Sequence, residues 1–434
     1  MLGWVAILEI LASISGAPVG DHAARIAPEA GRSSRSGAID GQVVLLADVL
    51  PRRDAAELRP SLLVEATGQA GRLRARAEVA VEGLVAARSR TVGAAAVRPR
   101  DVWVEVTGRR AEVRAGYGRV IWGRLDELQP TDVINPIDAA RFLLDGRSEA
   151  RLPVAFLRGR VFAGETVTVE SVVVPWFRRG SFDQRDEETS PFNLVRDLVL
   201  PAAGPPDLVR HLEPPAAWRS VSGGARVSAT RGRVDVGVAA FRGFDAFGPL
   251  TFEVTAVSAS APAPAVIGQL VERHPRFTMV GADFETVAGP WGVRGEAAAI
   301  VDRRVAGVTR PGLVAGRALD VGVGLDRSAG TYRLFASVLV HHEWSPEDPR
   351  LARTDTNLLG SIERRSRRER WLARGFAVVN PADGAGFLRG LVSVVPRDNV
   401  TVEVSAAAFF GTSDDTLGRF HGRDFVFGRV RYHF

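Results

Sequence analysis

Apolar and polar residues alternate with period two through most of the chain, as in strands whose two faces meet different surroundings. After Arg72 the odd positions read Leu73, Ala75, Ala77, Val79 and Val81, set against Arg74, Arg76 and Glu78. Val102, Val104 and Val106 alternate with Trp103 and Glu105, and Ala111, Val113 and Ala115 with Glu112 and Arg114. The same pattern returns at Val167–Glu170, Arg333–Val340 and Val400–Ala408. Short turn signals join many of these runs: Gly68–Gly71, Thr107–Arg109, Ala163–Gly164, Ser328–Gly330 and Arg397–Asn399. Longer, Pro-rich connections intervene at about 123–150, 177–215 and 344–353. The pattern predicts an all-β, antiparallel up-and-down meander of about 16–19 strands, each roughly 9–13 residues long. The weakest strands fall at 250–275 and 354–366. Helical period is confined to short pieces inside long loops, such as Asp138–Leu144 and Asn193–Leu200.

Face composition separates a soluble sheet from a membrane wall. One face is mostly Val, Ala and Leu, while the other carries Arg and Glu in mid-strand, the choice that lipid outside and water inside would make. A propeller would repeat about every 40 residues, and no such repeat occurs. The 434 residues would suit several small domains, and the mean hydropathy of +0.02 a soluble protein. Alternation replaces both readings with one barrel, because opposite faces average to near zero. Past residue 18 no apolar run approaches the roughly 18 residues of a membrane helix.

The final residues, Asp424–Phe434, set Val426, Gly428, Val430, Tyr432 and Phe434 on one face and Arg429, Arg431 and His433 on the other. A chain ending on Phe434, with Tyr432 before it and alternation behind, resembles the terminal strand of Gram-negative outer-membrane β-barrels. That resemblance implies a single transmembrane β-barrel over residues 37–434, of about 16–18 strands. It also implies the bacterial outer membrane as location and its lipid as surroundings. Periplasmic chaperones and the barrel-assembly machinery become partners, with Tyr432 and Phe434 as the assembly signal. A second segment, Gly118-Arg119-Val120-Ile121-Trp122-Gly123 followed by Pro130-Thr131-Asp132-Val133-Ile134-Asn135-Pro136-Ile137-Asp138, resembles one shared by porin-like barrels of the DUF1302 type. Those barrels have no assigned chemistry.

At the other end, Met1–Pro18 is apolar and closes on small residues, as a secretory signal peptide or its remnant would. Glu9 interrupts it and no Arg precedes it, so a mis-set start codon or a short amphipathic N-terminal helix is the alternative. Residues 19–36 form a small, polar leader. The net charge of +6 comes from 56 basic residues, every one an Arg, against 50 acidic ones. An all-Arg composition reflects coding bias as readily as a role, so it does not argue for nucleic acid. The absence of Cys removes disulfides and Cys-ligated metals.

Two sets of residues are candidates for function. Arg72, Arg74, Arg76, Arg114, Arg333, Arg429 and Arg431 fall on the water side, with Glu78, Glu82, Glu112, Glu170 and Glu403. They form either an anion-attracting pore lining or an Arg–carboxylate network that stiffens the lumen; the mixed signs favour the network, with a mild anion preference. The second set is the loop from Trp122 to Leu144, with Arg124, Asp132, Asn135 and Asp138, which either folds into the lumen or covers the barrel mouth. The 177–215 loop is a second plug or lid, with Phe192, Leu194, Leu198, Val199 and Leu200 as its apolar part.

His341 and Glu343 share a face that His342 does not, and two ligands are too few for a metal. Trp103, Trp122, Trp176, Trp291, Trp344 and Trp371 sit near strand ends, as in an aromatic girdle. No Gly-x-Ser-x-Gly, phosphate-binding Gly loop or His-Glu-x-x-His occurs, so an enzyme is not expected, and neither is a cofactor. The expected function is a porin-like channel for small polar or anionic solutes. Alternatives are a barrel transporter or export component for an apolar or polymeric substrate, and a sealed structural or adhesive barrel. A homo-oligomer is compatible with the apolar wall.

Overall fold

The computed structural model describes residues 35–51, 55–87, 91–126, 128–139, 150–181, 209–258, 265–309, 312–412 and 417–434. Residues 1–34, which hold the expected signal peptide and most of the leader, lie outside the described residues, as does Asn193–Leu200. Among the described residues the first strand begins at Arg35.

In chain order the first strands are β1 (Arg35–Leu50), β2 (Ala55–Ala70), β3 (Leu73–Ala87), β4 (Thr91–Thr107) and β5 (Ala111–Gly118). Then come β6 (Val154–Ala163), β7 (Val167–Val174), β8 (Val209–Leu212), β9 (Ser222–Arg231) and β10 (Val234–Phe244). Next are β11 (Leu250–Ser258), β12 (Ala265–Arg273), β13 (Arg276–Ala288), β14 (Trp291–Ala306) and β15 (Leu313–Ala329). The last are β16 (Tyr332–Trp344), β17 (Ala352–Arg365), β18 (Trp371–Val379), β19 (Gly386–Arg397), β20 (Val400–Phe410) and β21 (Phe425–His433).

Among the described residues, eighteen strands form one sheet in which neighbours are antiparallel and adjacent along the chain. It closes through β1 and β21, paired from Gln42↔His433 to Val49↔Val426. Gly41 and Phe434 extend this seam by exchanging two backbone hydrogen bonds of 2.9 Å. The other three strands lie outside the wall: β11 pairs antiparallel with β12, and β12 parallel with β8. The weak alternation at 250–275 is therefore a loop hairpin, whereas that at 354–366 is the wall strand β17. Such a hairpin shows two faces as a wall strand does, so period alone does not tell them apart.

The connections are strongly unequal. At one end, residues 71–72, 108–110, 164–166, 232–233, 289–290, 330–331 and 398–399 join strands by tight turns. At the other end lie 119–153, 175–221, 245–275 and 411–424. Both chain ends of the barrel sit with the tight turns.

Outward side chains are apolar and uncovered: Val43, Leu45, Val104, Val238, Leu358 and Val430 are 44–58 % exposed. Inward ones include the buried carboxylates Asp48, Glu57, Asp283 and Glu296. Among the described residues no helix is long and apolar enough to cross a membrane. A closed wall with an apolar exterior crosses instead by strands, each backbone group bonded to a neighbour. Two bulges tune the faces. In β4, Glu78 opposes Asp101 while Val79 opposes Pro99, so one extra residue lets both Val97 and Val102 point outward. In β14 the register slips between Ile300 and Arg303, with Asp302 at a φ of 58°, and Arg303 is turned inward and buried.

At the seam, Phe434 lies flat on Gly41; a Cβ there would stand 2.4 Å from the ring. Gly41→Val should therefore lift the terminal ring off β1 and cost about 1–3 kcal/mol, as overpacking does. Urea unfolding of the refolded barrel measures it, and a stability equal to wild type would contradict this packing.

Candidate functional site in the barrel lumen

After β5 the described part of the 119–153 connection turns inward, because inward carboxylates and carbonyls hold its backbone. Asp101 on β4 receives the Arg119 guanidinium, with Nε at 3.0 Å and Nη2 at 2.5 Å. Asn135 replaces a strand partner for the loop entrance and exit. Its Oδ1 accepts the Val120 N–H at 2.8 Å, and its Nδ2 donates to the carbonyls of Gly118 and Leu152.

Glu296 on β14 is the main anchor, 3 % exposed on the inner wall. Its Oε1 accepts the backbone N–H groups of Arg124 and Leu125, the latter at 2.6 Å. Its Oε2 accepts the Thr131 N–H at 3.2 Å and the Thr131 hydroxyl at 2.9 Å. One carboxylate thus accepts from four donors of a chain segment that has left the sheet. Gly123 makes the approach possible: its φ is 103°, and a Cβ would lie 2.9 Å from Glu296 Oε1.

The other sequence candidates in this loop fall around the same anchor. Trp122 is 1 % exposed, donates from Nε1 to Glu170 at 2.8 Å, and meets Phe241 edge-on at 6.2 Å. It is a lumen residue and no part of a girdle, because its indole N–H finds a carboxylate only inside. Arg124 reaches across to Asp283 at 2.6 Å, Glu285 at 3.1 Å and Asp235 at 3.7 Å. Asp132 accepts Arg151 Nε at 2.7 Å. Asp138 places its N–H on Ala150 and bridges in parallel to Ser181. Of the expected helical piece, Asp138 makes a bridge, and residues 140–144 lie outside the described residues. The 177–215 loop is described only at its ends; Phe192, Leu194, Leu198, Val199 and Leu200 lie outside the described residues. Its start interlocks with two other loops, through Ser181 N–H to Ile137 and Gly180 N–H to Ala246.

The wall candidates are distributed over the lumen in pairs. Arg74 and Arg114 approach Glu105, at 3.9 and 2.6 Å, and Arg114 covers the Trp103 ring at 4.0 Å. Trp103 is thus on the inner face, a second departure from the expected girdle. Arg76 meets Glu78 at 2.6 Å and Glu65 at 3.1 Å. Glu112 pairs with Arg160 at 3.1 Å, Arg333 with Asp326 at 3.9 Å, and Glu403 with Arg429 at 3.5 Å. Arg431 follows Arg429 on the same inner face. Arg72 departs from the expectation: it sits exposed in the two-residue turn after β2, where the chain has left the wall. Glu170 collects Arg158 and Arg160, both at 2.8 Å, and Glu82 collects Arg98 at 3.2 Å.

Several lumen residues are not singled out by the sequence pattern. Glu296, Asp283, Glu285 and Arg294 sit in ordinary alternating runs, and only their inward parity marks them. Arg294 ties Asp126 at 2.6 Å and Glu285 at 2.9 Å, so it holds the loop from a second side. Burial raises the pKa of Asp126, and the Arg294 charge opposes that shift. His341, on the inner face with Glu343, bonds Asp320 at 2.6 Å, while His342 faces outward and stacks on Trp344 at 5.2 Å. Among the described residues no group of His, Asp and Glu fits a metal.

Apolar packing fills the space between loop and wall. Leu128 and Ala139 join a cluster with Phe376, Phe387, Phe409, Phe420, Phe425 and Phe427. Beside it remains a cavity of about 160 Å³ between loop residues 128–137, the Phe244–Phe247 turn and Arg303, Asp320 and Leu339 on the wall. Asn135→Ala should strip partners from one N–H and two carbonyls, each buried group costing about 1–3 kcal/mol. Limited proteolysis should then cut within 119–153 while the barrel core stays resistant; an uncut loop would contradict the anchoring role.

No family model matches the chain, and no curated protein does. Solved structures similar to it include OccK5 (OpdH) of Pseudomonas aeruginosa, 8% identical over 92% of this chain and 97% of that one, TM-score 0.49. The outer-membrane channel DcaP of Acinetobacter baumannii is 11% identical over 94% and 100%, TM-score 0.44. OmpF of Salmonella typhi is 8% identical over 92% and 97%, TM-score 0.43.

Proposed function

We propose that this chain is a porin-like channel of the bacterial outer membrane that lets small polar or anionic solutes diffuse through a lumen narrowed by the loop residues 119–126 and 128–139. The observation that carries this reading is the anchoring of that loop on Glu296, inside a wall whose outer face is apolar. A loop laid across a lumen reduces its open section without closing the wall, and its charged neighbours decide which ions pass. Arg124 and Arg294 present guanidiniums on the loop side, facing Asp283, Glu285 and Asp326. Balanced pairs of this kind favour water in the lumen and give weak preference between anions and cations. Solutes cross by diffusion, with no bond made or broken. The terminal strand, with Tyr432 and Phe434 on its outer face, is the recognition signal for the assembly machinery. The resemblance of 118–138 to DUF1302-type porin-like barrels points the same way.

A second reading, a sealed structural barrel, is favoured by the phenylalanine cluster that packs Phe420 of the 411–424 loop onto Phe409 at 5.3 Å. Planar-bilayer recording separates the two. The channel reading expects small, step-like currents from the wild type, and an increase of roughly twofold or more in Glu296→Ala, where the loop loses its anchor. Absence of current from both proteins, with the barrel folded, would establish the sealed barrel instead.

A further inference from the structure

The outer wall carries a charged feature that the lumen does not use. At the tight-turn rim of β14–β18, the outward positions read Trp291, Arg327, Tyr332, Arg364 and Trp371, one from each successive strand. The register places them side by side: Gly292 opposes Asp326, Ala329 opposes Tyr332, Tyr332 opposes Arg364, and Arg365 opposes Leu372. The Arg327 guanidinium carbon stands 5.3 Å from the Trp291 ring centre. That of Arg364 stands 5.3 Å from Tyr332 and 5.5 Å from Trp371.

Inward arginines of the same strands have carboxylates: Arg333 with Asp326 at 3.9 Å, and Arg365 with Glu363 at 2.6 Å. Among the described residues Arg327 and Arg364 have no ion pair, and the buried Nε of Arg327 has no hydrogen-bond partner. An unpaired cation on a lipid-facing wall is costly at depth and tolerable only at headgroup level. Each guanidinium stands within cation–π distance of a ring, and its terminal N–H groups suit a phosphate bound in two-pronged fashion.

We propose that this aromatic–arginine stripe is a binding site for the phosphate of an anionic phospholipid in the leaflet on the tight-turn side. It rests on the membrane-spanning reading of the wall, but not on the passage of solutes. Arg327 and Arg364 lie two strands apart, about 10 Å across the sheet, so each holds a phosphate beside its own ring. The aromatic rings sit against the glycerol and upper acyl carbons, and the two arginines fix the height of the barrel in the membrane.

The test is native mass spectrometry of the full-length refolded protein, taken from vesicles containing phosphatidylglycerol and phosphatidylcholine in equal amounts. Wild type should retain phosphatidylglycerol several-fold more than the Arg327→Gln/Arg364→Gln double variant, with little phosphatidylcholine on either. Arg317→Gln, an exposed outward arginine at the loop end of β15, should retain as much as wild type. Heat-modified mobility on gels shows that each variant is a folded barrel. Equal retention by wild type and double variant overturns the proposal. So does a change of oligomer mass in the double variant without loss of lipid, which would make the stripe a contact between chains. If no variant carries current yet the arginines govern lipid retention, the channel reading fails and the lipid site stands.

Discussion

A wall in lipid has no water to satisfy its amides, so the pairing of β1 with β21 is the condition on which every other feature rests. Once those two strands meet, side chains sort by parity into a lipid face and a lumen face, and the eighteen-stranded sheet has no edge left to pair elsewhere. Gly41 permits the last ring of the chain to lie on the first strand, so closure is completed by the terminal residue itself. Closure also leaves the interior to be filled, since eighteen strands enclose more space than their own inward side chains occupy.

The interior is filled in two different ways. On the β13–β14 side the filling is polar, with the entering loop hung from Glu296, tied by its own Arg124 to Asp283 on the wall, and held at its Asp126 by the wall's Arg294. On the β18–β21 side it is apolar, with Phe387, Phe409, Phe425 and Phe427 turned inward beneath the 411–424 loop. A segment outside the sheet must have its backbone groups paired as fully as a strand does, and a single buried carboxylate with four donors achieves this for the loop entrance.

Much of this architecture is legible in the amino-acid pattern alone. Period two sets the faces of β3, β5, β16 and β20, and turn residues such as Gly71 and Gly330 separate the tight end from the loop end. The terminal alternation from Val426 to Phe434 points outward as its parity predicts, and Arg429 and Arg431 point inward. Period fails where a hairpin stands outside the wall, as in β11 and β12, because both settings reward alternation. It also fails across the bulge in β4, where one added residue exchanges the two faces. Trp122 departs from the girdle because a tryptophan near a strand end is equally apt for a membrane rim or a buried contact, and only Glu170, 48 positions away, decides between them. Glu296 has the pattern of any lumenal carboxylate, since nothing nearby in the chain reveals that Leu125, 171 positions earlier, needs an acceptor.

Whether the loop occupies the lumen is measured most directly by cross-linking, since the chain has no cysteine of its own. A Cβ at Gly322 on β15 would stand 2.6 Å from Leu125 Cδ1, so Leu125→Cys and Gly322→Cys bring two thiols within disulfide reach. In the folded barrel in membranes, mild oxidation should join this pair in most molecules without loss of the folded form. Failure of the pair to join in folded protein, while both thiols remain reactive to a small maleimide, would place the loop outside the lumen and contradict the structure's central feature.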